Sequence, residues 1–162
     1  MAEGAPARRL APTLLDRLLD DDPHHPDPPL SGAETLRELR EALRRDLAIL
    51  LNTRCRPTTP PAALTGSLLD FGVEDFFNTG LATAEQRTAF AARLQRRIAR
   101  FEPRLEDPRV SLPDTPDPAR RSLRLRITAR YRPRPALPPL AFETRLDPVT
   151  QHFTVTDGGG RG

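Results

Sequence analysis

The sequence predicts an α+β domain: two long helices and a short N-terminal helix packed on a small antiparallel sheet that closes with a C-terminal β-hairpin. Two periodicities carry that reading. Between residues 31 and 101 apolar side chains recur every three or four positions, the spacing of helices with one buried face. From about residue 122 the spacing drops to two, the signature of strands with one face inward. Proline is the third observation. It makes up 19 of 162 residues, about twice the usual frequency of roughly 5%, and it lies between the periodic stretches, as in a folded chain with stiff connections.

Taken in order, residues 1–11 are small, basic and proline-containing, and are expected to be a flexible tail. "TLLDRLLDDDP" sets Leu14, Leu15, Leu18 and Leu19 on one helical stripe, and Asp20, Asp21 and Asp22 oppose the dipole of its last turn, so this helix is expected to be short. "PHHPDPP" carries His24, His25 and Asp27, but adjacent histidines in a proline-rich loop lack the rigid support a metal site needs. Ser31 and Glu34 form a capping box that opens the first long helix, with Leu36, Leu39, Leu43, Leu47 and Leu50 as its buried stripe. Its other face alternates Arg37, Glu38, Arg40, Glu41, Arg44 and Asp46. "NTRCRPTTPPAA" then crosses over as a stiff loop, and "SLLDFGVEDFFN" gathers Phe71, Val73, Phe76 and Phe77 around a tight bend at Gly72.

Thr83 and Gln86 make a second capping box, and Phe90, Leu94, Ile98 and Phe101 form the stripe of the second long helix. Pro103 stops it, because proline lacks an N–H and turns the preceding residue away from helical angles. "SLRLRITARYR" then places Leu123, Leu125, Ile127, Ala129 and Tyr131 on one face and Arg124, Arg126, Thr128, Arg130 and Arg132 on the other. "LAFETRL" and "HFTV" alternate likewise and are joined by "DPVTQ", a hairpin turn without the glycine that would be natural there. A sheet of about three strands follows, with Thr154 expected to turn its backbone outward at the edge. The domain boundaries are expected at residues 12 and 156, with residues 157–162 as a glycine-rich tail.

Composition excludes several classes. The net charge is +3 and the pI about 10.2. All 25 cationic residues are arginine, whose high pKa inflates the pI beyond the real charge excess. Nucleic-acid binding through residues 120–134 is disfavoured, since no aromatic side chains interleave the arginines on their exposed face. Cys55 stands alone and suits a reducing compartment. The longest unbroken apolar run is "LAILL", so a cytoplasmic protein is expected.

Catalytic signals are equally thin. A glycosidase needs two carboxylates roughly 5–9.5 Å apart. Glu74 with Asp75, or Glu102 with Asp107, could be nominated, but there is no Trp and only one Tyr to form a sugar platform. No nucleophile elbow, P-loop, HExxH or dinucleotide fingerprint occurs, so neither an enzyme nor a cofactor or metal is expected.

The order of five segments is more informative than any one of them. "LLDRL", "LLNTR", "SLLDFGVEDF", "FEPRL" and the C-terminal hairpin, spanning about residues 12–156, resemble the TssE family of type VI secretion baseplate wedge subunits. That family includes wedge proteins of contractile phage tails, long labelled lysozyme-like. The resemblance implies a structural protein that joins TssF and TssG, with TssK in the wider baseplate, and seeds the sheath of TssB and TssC by strand docking. It implies assembly at the cytoplasmic face of the inner membrane, without direct insertion. A phage-tail wedge protein is the alternative, and a peptidoglycan-cleaving enzyme is suggested only by the old label. The family's Glu-Pro-Arg contact region maps onto Glu102, Pro103 and Arg104, expected here as two exposed charges set at fixed angles by the proline, with an internal Glu102–Arg104 pair as the alternative. Arg124, Arg126, Arg130 and Arg132 are expected to face an acidic partner segment.

Overall fold

A computed structural model describes residues 32–55, 61–64, 66–74, 81, 83–112, 122–134, 136–147 and 149–158. The short N-terminal helix, the histidine-containing linker, the Ser31 cap, Asp75, Phe76, Phe77 and the last four residues lie outside the described residues. The chain divides into two compact units, residues 1–43 and 44–162, and the division falls within the first helix.

Helix α1 spans Gly32–Asn52. In the first unit Leu39, Ala42 and Leu43 are buried, and in the second Leu47, Leu50 and Leu51 are. The predicted stripe therefore runs inward over its last three turns. Two short 3-10 turns follow, Ala62–Leu64 and Leu68–Asp70. At Gly72 the backbone takes φ +107°, and a Cβ there would sit 2.4 Å from the Thr53 carbonyl oxygen. The tight bend expected at Gly72 thus has a reason. The chain must pass close enough for Val73 N–H to reach Thr53 O at 2.8 Å and Cys55 N–H to reach Val73 O at 3.1 Å.

Helix α2 spans Ala84–Phe101 and begins with the predicted capping box: Gln86 N–H donates to the Thr83 hydroxyl, and Thr83 N–H to the Gln86 side chain. Phe90, Ala91, Leu94 and Ile98 are its buried residues. The helix ends at Glu102, whose φ −121° and ψ 76° follow from the proline after it.

Four antiparallel strands form one sheet in the order β1-β2-β3-β4: β1 Leu105–Ser111, β2 Leu123–Tyr131, β3 Leu140–Leu146 and β4 Phe153–Asp157. The sequence reading missed β1 because "LEDPRVS" does not alternate. Its register shifts between Glu106 and Arg109, with Asp107 at φ 48°, so one extra residue forms a bulge. Pro108 is tolerated because β1 is an edge strand. The inward face carries Leu125, Ile127, Ala129, Tyr131, Leu140, Phe142, Leu146, Phe153 and Val155, all buried. Phe90 of α2 stacks on Phe153 with ring centroids 6.4 Å apart.

The hairpin turn manages without glycine. Asp147 Oδ1 accepts from Val149 N–H at 2.8 Å and Thr150 N–H at 3.4 Å, and Gln151 takes the left-handed conformation at φ 56°.

Both sheet edges are partly closed by helix side chains. The Asn52 amide donates to Phe153 O at 2.9 Å and accepts from Phe153 N–H at 2.8 Å, and Arg44 donates to Val155 O at 3.2 Å. On the other edge Val110 N–H donates to the Gln95 side chain at 3.2 Å. Since Phe153 turns its backbone outward and Gly158 N–H bonds back to Ala141 O, Thr154 and Thr156 face β3. Thr154 is therefore not outward-pointing in its backbone, contrary to the sequence expectation. Alternation along a strand puts its N–H in the ladder.

Candidate functional site

The corner after α2 is built by chain geometry first. With Pro103 bending the backbone, the Glu102 carboxylate folds back to meet Arg104 two residues on. Arg104 Nε donates to Glu102 Oε1 at 2.6 Å, and Nη2 donates to Glu102 Oε2 at 2.5 Å and to Asp46 Oδ2 at 2.6 Å. Glu102 is only 5% exposed. The expectation of two solvent-facing charges is thus corrected: the pair is internal, tied to α1 through Asp46, and Pro103 is the exposed member. Its Glu102 hydrogen bonds above all, with Asp46 adding to them, push the Arg104 pKa above its ordinary value against the cost of burial, so it stays charged. Its Nη1 has no hydrogen-bond partner among the described residues, which leaves one edge of a rigidly held guanidinium free.

Beside the corner lies a groove of about 340 Å³ lined by Asp46, Leu47, Ile49, Leu50, Phe71, Phe101, Glu102, Pro103 and Arg104. Most of its wall is apolar. Phe71 and Phe101 meet edge to face at 5.3 Å, and Ile49 is 48% exposed. Leu68, three residues before Phe71, is 90% exposed. Such a site can take an apolar side chain and offer one charge-assisted hydrogen bond next to it.

A second cluster, centred on Asp70, was not foreseen. Asp70 is buried and accepts from Arg97 Nη1 at 2.6 Å and from Gly66 N–H at 3.1 Å, with Arg100 Nη1 at 3.2 Å. Arg97 also reaches Asp70 O, Cys55 Sγ and Glu74 Oε1. The Arg97 hydrogen bond, followed by Gly66 N–H, holds the Asp70 carboxyl below the usual carboxylate range. Burial pushes the Cys55 thiol up, with Arg97 partly opposing it. The signal was present in the sequence: one acid inside an apolar run, and two arginines three residues apart on α2.

The four arginines of the sheet face are all exposed. Arg126 pairs with Glu143 at 3.6 Å, and Arg130 with Glu106 at 3.4 Å and Asp107 at 3.1 Å. Arg132 lies next to the corner, since its N–H donates to Arg104 O at 2.8 Å. Arg124 sits eight residues back along the strand, about 26 Å away at the usual strand rise.

Among the described residues no group of three or more His, Cys, Asp or Glu could hold a metal ion, and no helix is long and apolar enough to cross a membrane. Among the described residues the fold is thus a small α+β module of two helices on a four-stranded antiparallel sheet, with a buried charge pair beside an open apolar groove. The family model described as baseplate wedge protein gp25 matches residues 37–136, well over half of the chain, and the chain belongs to this family. Comparison with curated proteins and with solved structures gave no match.

Proposed function

We propose that the chain is the wedge subunit of a type VI secretion baseplate, a TssE-like protein that joins TssF and TssG, with TssK in the wider baseplate, at the cytoplasmic face of the inner membrane. The observation that carries this reading is the Glu102–Pro103–Arg104 corner beside its apolar groove, inside the family match. Glu102 and Asp46 act as holders, and Arg104 Nη1 with the Pro103 ring acts as the contact. A partner side chain fills the space beside Leu50, Phe71 and Phe101 while its neighbouring oxygen takes Nη1. Because the fork is already ordered, binding forfeits little side-chain entropy.

The TssB–TssC sheath docks a strand on the β4 edge beyond the Asn52 cap, where alternation turns Val155 N–H outward. Hydrolysis has no part in this role. Glu102 gives both oxygens to Arg104, which leaves neither directed at a substrate as a general acid must be. The family description is equally compatible with a contractile phage tail, and the partner found separates the two.

The test is co-expression with TssF and TssG homologues from the same locus. A stable complex is expected with the native chain and none with Arg104→Lys, which keeps the charge but loses the fork. Absence of any complex with the native chain overturns the reading.

A further inference from the structure

The outer face of the sheet holds two like charges that no described residue balances. Arg124 of β2 and Arg145 of β3 are cross-strand partners, and both are exposed. Ala141 O accepts from Gly158 N–H, so Ala141, Glu143 and Arg145 direct their backbone groups toward β4. Arg145 therefore meets Arg124 as a non-hydrogen-bonded pair, the closer antiparallel arrangement, with Cα atoms ~4.5 Å apart. Like charges directly opposite one another destabilise a sheet.

The same face shows how the chain treats arginines elsewhere. Arg126 stands opposite Glu143 and pairs with it, and Arg130 stands opposite Glu106 and pairs with it. On the β4 side the partner of Arg145 is Thr154, which is neutral. Neither Arg124 nor Arg145 has a hydrogen-bond or ion-pair partner among the described residues. Two of the four arginines expected to face a partner, Arg126 and Arg130, are thus occupied, and Arg145, which the sequence reading did not single out, takes their place.

We propose that Arg124 and Arg145 form a docking point for an acidic segment of a partner protein, whose carboxylates take the two guanidinium forks. Planar forks bind carboxylates bidentately. A local repulsion retained in the free protein is relieved when the acid arrives, the usual pattern where stability is traded for function. A short acidic segment fits better than nucleic acid. A duplex carries a charge every ~1.7 Å, and extended along this face it would meet Glu106, Asp107 and Glu143. The inference rests on the wedge reading only in assuming that the partner is a protein.

The test uses the full chain and a fluorescein-labelled peptide of alternating glutamate and threonine at low salt, read by anisotropy, with thermal unfolding measured alongside. Arg124→Thr with Arg145→Thr is compared with Arg126→Thr with Arg130→Thr, which removes the same formal charge. The first pair is expected to weaken peptide binding about tenfold, about 1.4 kcal/mol, and to unfold at a higher temperature than the native chain. The second pair is expected to bind nearly as the native chain does and to gain no stability. The proposal is overturned if the native chain does not bind the peptide, if both doubles lose affinity equally, or if duplex DNA of matched charge binds more tightly through the same two arginines. Since no wedge partner is present, peptide failure with an intact wedge sinks this inference alone, and the reverse result sinks only the wedge reading.

Discussion

At the residue scale the Arg104 corner ties stability to recognition. Removing the guanidinium leaves Glu102 buried without its partner, and breaking a buried pair from one side costs on the order of 3 kcal/mol. Arg104→Ala is therefore expected to lower the unfolding midpoint by several degrees in calorimetry and also to abolish wedge assembly. A variant that unfolds like the native chain shows that the pair holds no buried acid in place. Asp70 makes a separate case. Its folded-state pKa lies below the unfolded value of about 3.9, so its stabilisation is present above that pH and is lost as the pH falls through the folded value. Asp70→Asn is expected to destabilise at pH 7 by ~3 kcal/mol, as removal of one partner from a buried pair does, and the gap from the native chain should close as acid is added. A gap independent of pH in chemical denaturation argues that the charge of Asp70 is not what stabilises the fold.

At the scale of elements, the edges of the sheet carry the sharpest expectation. Thr154→Pro removes a donor from the β3–β4 ladder and should unpair the hairpin, visible as fast amide exchange from Phe142 to Asp157. Asn52→Ala leaves the ladder intact and frees both backbone groups of Phe153. Self-association in sedimentation velocity is expected to rise for Asn52→Ala and not for the native chain. Both helices and three of the strands were legible in the sequence, because each is amphipathic and its period survives without neighbours. β1 was not legible. Its bulge at Asp107 and Pro108 breaks the alternation, and only pairing with β2 shows that the residues on either side belong to one strand, offset by one register step.

At the scale of the whole molecule, a wedge protein should leave peptidoglycan intact. Dye-release assays with the purified chain are expected to give no turnover, and replacing Glu74 or Glu102 should change nothing in them. Turnover that disappears with either carboxylate would make the protein an enzyme. By itself the sequence determined the α+β class, the Gly72 bend, the second capping box, the stop at Pro103 and the order of segments that marks the family. These are local matters of period, φ preference and missing donors, which a chain carries wherever it goes. Only tertiary structure decided what the charges do. Glu102 and Arg104 turn inward because α1 brings Asp46 within 2.6 Å of the guanidinium, Asp70 is buried because Arg97 and Arg100 reach it from α2, and Arg145 becomes the neighbour of Arg124 through strand register. Most of these charges have no partner until distant segments meet, and the distance of that meeting sets whether each one stabilises, repels or waits for another chain.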